Sequence, residues 1–193
     1  MKIRQAKNTD DFKTIARFIY ETDRFIYPYW FKDKNEGIDV LAELLNQKGS
    51  SFYYKNCIVA IVDNKIVGVL LYFTDKSKFS FDYSKIIDKN FEYNYVLNNY
   101  ILKIEKEVNK NQAYIAGVKV DDNYTRRYIA SGLINYLFSI LSKEYTVCLD
   151  VLEENVPAIC LYKKVGFKIT NTYNGFNGYR KRKPLCYSMI KKL

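Results

Sequence analysis

The sequence predicts one α/β domain spanning residues 1–193, and three observations predict it. Short runs rich in Val and Ile alternate along the chain with stretches whose apolar residues recur at helical spacing. No repeat, linker or low-complexity segment divides the chain, and its length suits one domain. Apolar residues make up 48%, enough to bury a core.

The elements follow in order. Residues 2–6 (KIRQA) read as a strand. Thr9-Asp10-Asp11 supplies N-cap chemistry, and Phe12, Ile15, Ala16 and Ile19 carry a helix to about residue 21. "RFIYPYWF", 24–31, is expected to be an aromatic loop broken by Pro28, and "GIDVLAELLNQ", 37–47, a helix. "CIVAIVDNKIVGVLLYF", 57–73, reads as two central strands around a turn at Asp63-Asn64-Lys65. Residues 75–92 are irregular, charged and aromatic, and a helix is expected over about 92–108. "AYIAGVKV", 113–120, is a strand. It leads through 121–128 into a helix to about 142 that buries Ile129, Leu133, Leu137 and Leu141. "YTVCLDVL", 145–152, is a strand, and "PAICLYKKV" a short helix. "FKITNTYN" and "LCYSMIKKL" close the chain as strands, 167–174 and 185–193, around a basic loop.

Composition excludes several kinds of chemistry. There is no histidine, so neither a Ser-His-Asp nor a Cys-His arrangement exists, and proton transfer falls to carboxylates, tyrosines, lysines, cysteines or water. Cys57, Cys148, Cys160 and Cys186 show no CxxC spacing, so no metal site is expected. Three of them lie in apolar runs, where free cysteine behaves as a small hydrophobe. No run approaches the ~18 apolar residues of a membrane span, and MKIRQAKNTDD lacks a signal-peptide core. The expectation is a reduced, cytoplasmic protein with no membrane partner. The net charge of +10 suits phosphate-bearing ligands or an acidic surface, and equally a solvated lysine-rich exterior. Neither GxGxxG nor GxxxxGK[ST] occurs, so the strand order is not read as a doubly wound nucleotide fold.

The segment "LDVLEENVPAICLYKKVGF", 149–167, resembles a motif of the GCN5-related N-acetyltransferase (GNAT) family, with bacterial ribosomal-protein N-terminal acetyltransferases closest in pattern. The pattern is a strand, then Asn, Ala, Tyr and Gly-Phe in fixed register. Asn155, Ala158, Tyr162, Gly166 and Phe167 fill it. The resemblance implies a mixed central sheet flanked by helices, with parallel strands 113–120 and 145–152 splayed apart to hold acetyl-CoA as co-substrate. It gives Asn155 a hydrogen bond to the pantetheine arm and makes Tyr162 the general acid to the leaving thiolate. The competing reading packs the Tyr162 ring in the core.

The family's pyrophosphate loop, Arg or Gln, two residues, Gly, one residue, Gly or Ala, is matched only in part. Thr125 takes the first position, Tyr128 that of the first glycine, and Ala130 that of the second. A tyrosine there either crowds the phosphate or points outward and leaves the amides free. Arg126 and Arg127 are candidates for charge-assisted contacts to phosphate.

Asp150 lies twelve residues before Tyr162, the spacing at which the ribosomal-protein acetyltransferases carry a catalytic glutamate, so it is the candidate base. Glu153 and Glu154 are rivals. A backbone amide of Val118 or Val120 is expected to polarise the thioester oxygen. The acceptor groove is expected between 24–31, 75–92 and 174–184, lined by Tyr27 and Tyr29, with Trp30 better placed at the edge of the core. "RKRK", 180–183, reads either as a contact for phosphate or for an acidic partner, or as a solvated turn. A basic groove would disfavour polyamines and favour a peptide N-terminus or small neutral amine. Two alternatives stand beside an N-acetyltransferase. One is a degraded member of the fold that binds CoA or another ligand as a sensor or interaction module, argued from Tyr128. The other is an RNA-binding accessory, ranked last for want of a motif. Homodimerisation is left open.

Overall fold

Among the described residues, seven strands pair into one mixed sheet of order β1–β2–β3–β4–β5–β7–β6. The structure is a computed structural model, described over residues 1–77, 79–83, 108–175 and 184–193. All but the last residue of the helix expected at about 92–108, most of the 75–92 segment and the RKRK run lie outside the described residues.

The antiparallel half of the sheet is β1 (Lys2–Gln5), β2 (Cys57–Val62) and β3 (Lys65–Thr74). Asp63 and Asn64 both adopt positive φ, 48° and 61°, so β2 and β3 turn tightly with a twist that matches the strands. β4 (Gln112–Val120) pairs antiparallel with β3 and β5 (Thr146–Leu152) parallel with β4. The closing hairpin is β6 (Lys168–Asn174) and β7 (Leu185–Lys192), and β7 inserts between β5 and β6.

Helices cover both faces. α1 (Phe12–Tyr20) starts at Asp11, whose carboxylate accepts from the Thr14 amide at 3.1 Å. Residues 24–31 differ from the expected loop, because Ile26–Trp30 form a one-turn helix, α2, despite Pro28. Pro28 falls within the first turn, where its missing N–H costs nothing. Asp23 accepts from the Phe25 and Ile26 amides, both at 2.7 Å, and so fixes the start of that turn. α3 runs over Lys34–Leu45, earlier than 37–47, because Asp33 caps the Glu36 amide at 2.9 Å. α4 (Ile129–Ile140) follows β4, and α5 (Val156–Lys164) follows β5.

Two cores result. Ile15, Phe18 and Ile19 of α1 and Leu41, Leu44 and Leu45 of α3 pack on Val59, Val69 and Leu71. Leu133, Ile134 and Leu137 of α4 pack on Leu70, Ile115, Val147, Leu149 and Met189 on the other face. Each such side chain contributes about 1.5–3 kcal/mol through burial. Tyr27 and Trp30 belong to the first core rather than to a groove, with Tyr27 stacked on Tyr20 at 5.9 Å and Trp30 beside Phe52 at 6.1 Å. Tyr29 is half-buried beside them. Leu141 caps the end of α4 and is only partly buried.

The geometry that matters for function lies between β4 and β5. Their pairing runs only from Gln112–Thr146 to Ile115–Leu149. Beyond it β4 continues along β3 to Val120, while β5 continues along β7 to Leu152. Two adjacent parallel strands thus part company in the middle of the sheet. A register shift on β3–β4, where Leu71 pairs with Gly117 and Tyr72 with Ile115, bulges Ala116 at the same level and bends β4 away.

Candidate active site

Where two strands separate, the backbone groups that face the gap lose their ladder partners. The Asp121 amide donates to the Val67 carbonyl at 2.9 Å, so Asp121 and, by alternation, Lys119 turn their amides toward β3. Val118 and Val120 therefore turn theirs toward the gap. Both side chains pack on the α4 face of the sheet.

The loop from β4 into α4 ends at the same gap. Arg126 and Tyr128 both sit at φ 59°, two left-handed residues within three. Tyr128 is the N-cap of α4 and provides no side-chain cap. Among the described residues, none accepts a hydrogen bond from the backbone amides of 126 to 131. Consecutive unpaired amides at the positive end of a helix form an anion cradle. The Tyr128 ring does not enter it: the residue is 73% exposed, and Lys164 Nζ lies 5.2 Å from the ring centroid. The left-handed backbone at 128 is the physical reason a glycine suits that position. Arg126 and Arg127 are exposed, and the Arg127 guanidinium lies 5.1 Å from the centre of the Tyr124 ring. Ala130 follows in the first turn of the helix.

α5 is built locally. The Asn155 Oδ1 accepts from the Ala158 amide at 3.3 Å, which starts the helix, and the Asn155 side-chain amide nitrogen has no partner among the described residues. Gly166 at φ 98° ends it, with the Phe167 amide donating to the Tyr162 carbonyl at 2.9 Å. Tyr162 is 8% exposed and packs edge-on against Phe167 at 5.8 Å, in the cluster that holds Val118, Val120 and Val151. Its hydroxyl has no hydrogen-bond partner among the described residues, and burial pushes its pKa up to about 12. At neutral pH it is a proton donor.

Asp150 occupies the opposite face of β5, since Val147, Leu149 and Val151 fill the α4 side. The Tyr114 hydroxyl donates to Asp150 Oδ2 at 3.1 Å, and the Ser188 hydroxyl to Oδ1 at 2.6 Å. Burial first, then the Asp150 charge, raises Tyr114 well above an ordinary tyrosine. The rival carboxylates are engaged: Glu153 Oε1 accepts from the Tyr187 hydroxyl at 2.7 Å, and Glu154 pairs with Arg24.

Three polar residues of this face were not singled out from the sequence: Tyr114, Ser188 and Asp23. A Cβ built on Gly117 would meet Thr22 Cγ2 at 2.7 Å, so the α1–α2 loop lies directly on β4 beyond the bulge. Burial raises the Asp23 pKa, opposed by its hydrogen bonds from the Ile26 and Phe25 amides. Asp23 and Asp150 both act on the Cys186 thiol, which burial and these charges push up to about 11. No local pattern marks Asp23, because its proximity to β4 and β7 is created by folding. Among the described residues no cluster of His, Cys, Asp or Glu is arranged to hold a metal, and no helix is long and apolar enough to cross a membrane.

The sheet thus parts between two parallel strands, with unpaired amides at the mouth of the gap and a buried phenol beside it. The profile of the acetyltransferase (GNAT) family matches residues 16–167, and the chain belongs to that family and is an N-acetyltransferase. It is 26% identical over 153 residues to an N-alpha-acetyltransferase of Saccharolobus solfataricus, covering 78% of this chain and 70% of that protein. It is 31% identical over 107 residues to NAA20, the catalytic subunit of the N-terminal acetyltransferase B complex of Arabidopsis thaliana, covering 51% of this chain and 62% of that one. The fold superposes on an N-acetyltransferase from Staphylococcus aureus Mu50 with a TM-score of 0.76 at 21% identity, over 99% of this chain and 100% of the other.

Proposed function

We propose that this chain transfers the acetyl group of acetyl-CoA directly to a primary amine, a peptide N-terminus or a small amine. The observation that carries the proposal is the parting of β4 from β5 with the unpaired amides of 126–131 beside it. In this reading those amides, from Tyr128 through Ala130, hold the pyrophosphate, aided by Arg126 and Arg127. The Asn155 side-chain nitrogen donates to the pantetheine arm. The thioester supplies the activated acetyl group.

The chain's own groups do the rest. The Val118 and Val120 amides donate to the thioester oxygen as negative charge gathers on it. Asp150, directly or through one water, takes the proton that the attacking amine must lose. The new C–N bond forms as the C–S bond breaks, and Tyr162 gives its proton to the departing sulfur. Asp150 and Tyr162 act from opposite faces of the sheet, the carboxylate at the attacking amine and the phenol at the departing sulfur.

Both curated relatives carry names that describe acetylation of N-termini, which favours a peptide N-terminus as acceptor. The outward Tyr128 favours this reading over a degraded, non-catalytic member of the fold. Titration calorimetry with acetyl-CoA and with CoA at moderate salt, followed by a screen of amines and N-terminal peptides, tests the proposal. The expected result is micromolar binding, with turnover that falls in Tyr162→Phe by roughly 10²–10⁴-fold while affinity is kept. No binding at millimolar acetyl-CoA refutes the transfer reaction, and an unchanged rate in Tyr162→Phe removes the phenol as the acid.

A further inference from the structure

At the opposite end of the strands lies a pocket of about 620 Å³ that the transfer reaction does not use. Thr74, which pairs with Ala113 at the start of β4, and Tyr145, which precedes β5, both line it, whereas the strands part only beyond Ile115 and Leu149. Its volume falls within the ~300–1,000 Å³ of small-molecule sites.

The lining has a definite chemistry. Lys48, Lys55 and Lys76 line it from three points of the chain, and the carboxylate beside them, Asp75, is engaged by the Tyr145 hydroxyl and the Asn111 amide. None of the three lysines forms an ion pair with a described residue. Like charges around one volume repel, and a polyanion turns that repulsion into attraction. Tyr72 and Tyr145 have their hydroxyls engaged, by Gln5 Nε2 at 3.4 Å and by Asp75 Oδ1 at 2.7 Å, so they offer ring surface. Tyr53, Ile140 and Leu141 add further apolar surface. The C-terminal end of α4 at Ile140–Ser142 also lines the pocket, and its partial negative charge suits a donor on a ring rather than phosphate. One wall is rigid: Asn56 Nδ2 donates to the Ser51 carbonyl at 3.0 Å, and the Ser51 amide donates to the Tyr83 hydroxyl at 3.0 Å.

We propose that this pocket is a second ligand site, for a small phosphorylated molecule bearing an aromatic ring, the chemistry of a nucleoside diphosphate. The lysines hold the phosphates and the tyrosines and α4 hold the ring. The test is calorimetric titration with ADP of protein already saturated with CoA, so that the first site is filled. Binding is expected to persist under saturation, to weaken about tenfold for each of Lys48→Glu, Lys55→Glu and Lys76→Glu, and to be indifferent to Arg126→Glu. These lysines are exposed, and unchanged thermal unfolding of the variants checks that they fold. Simple competition between ADP and CoA, or no ADP binding at millimolar concentration, overturns the proposal. So does binding of a single-stranded oligonucleotide that grows with its length while ADP fails to bind, which would make this face a nucleic-acid track.

Discussion

Asp150 and Tyr162, twelve residues apart in the chain, lie on opposite faces of one sheet. The carboxylate is held by Tyr114 and Ser188 on the α1 side, and the phenol is packed with Val151 and Phe167 on the α4 side. Alternation along β5 and one short helix produce the arrangement, and it gives a carboxylate and a phenol separate approaches to the same gap.

Asp150→Asn keeps an oxygen acceptor for one of the two hydroxyls, turns an NH2 donor toward the other and removes the proton acceptor. Turnover is expected to fall by roughly 10²-fold or more, with acetyl-CoA affinity unchanged. Steady-state kinetics checks it. A full rate would remove Asp150 as the base.

Tyr128→Gly tests the anion cradle. The left-handed backbone at 128 costs a residue with a Cβ about 1–2 kcal/mol, so urea unfolding should show stability unchanged or raised by up to about 1 kcal/mol. Because the ring points outward, acetyl-CoA affinity should change by less than about threefold. A large gain in affinity would mean that the ring crowds the phosphates.

Gly117→Ala should destabilise the fold by about 1–3 kcal/mol, since its Cβ would lie 2.7–2.8 Å from the Thr22 side chain. It should also raise the acceptor KM by pushing the Asp23 loop off β4. Chemical denaturation and steady-state kinetics report the two effects separately.

Alkaline stability reads the burial of Tyr162. Its pKa is about 12 when folded, against 10.0 for an ordinary tyrosine. Below about pH 10 both states are protonated; above it the unfolded chain binds fewer protons, so stability falls as pH rises toward 12. The Tyr162 share of this loss is about 3 kcal/mol. Tyr162→Phe should lose correspondingly less stability than the parent between about pH 9 and pH 11.5 in urea titrations. Equal losses would place the hydroxyl in water.

What could be read from the sequence is what neighbours along the chain determine. The Val- and Ile-rich runs, the turn at Asp63-Asn64, the cap at Asp11 and the short helix of "PAICLYKKV" are local choices of backbone conformation. Each appears in the fold close to where its residues demand it. The strand–Asn–Ala–Tyr–Gly-Phe register is legible for the same reason, because one short helix carries all of it. The one-turn helix at Ile26–Trp30 escaped, since its start is set by the Asp23 side chain against a run containing proline.

Other features depend on residues far apart in sequence. The insertion of β7 between β5 and β6 brings Ser188 to Asp150, and the α1–α2 loop lays Asp23 beside β4. The outward turn of Tyr128 and the assembly of three lysines around one pocket likewise arise only when the chain closes on itself. By itself the sequence determined the α/β domain, its elements and the helix that carries Tyr162, because propensity, capping and hydrophobic period act over a few residues. Only the tertiary structure decided which groups share the gap between β4 and β5, because strand pairing joins residues whose separation along the chain carries no periodic signal.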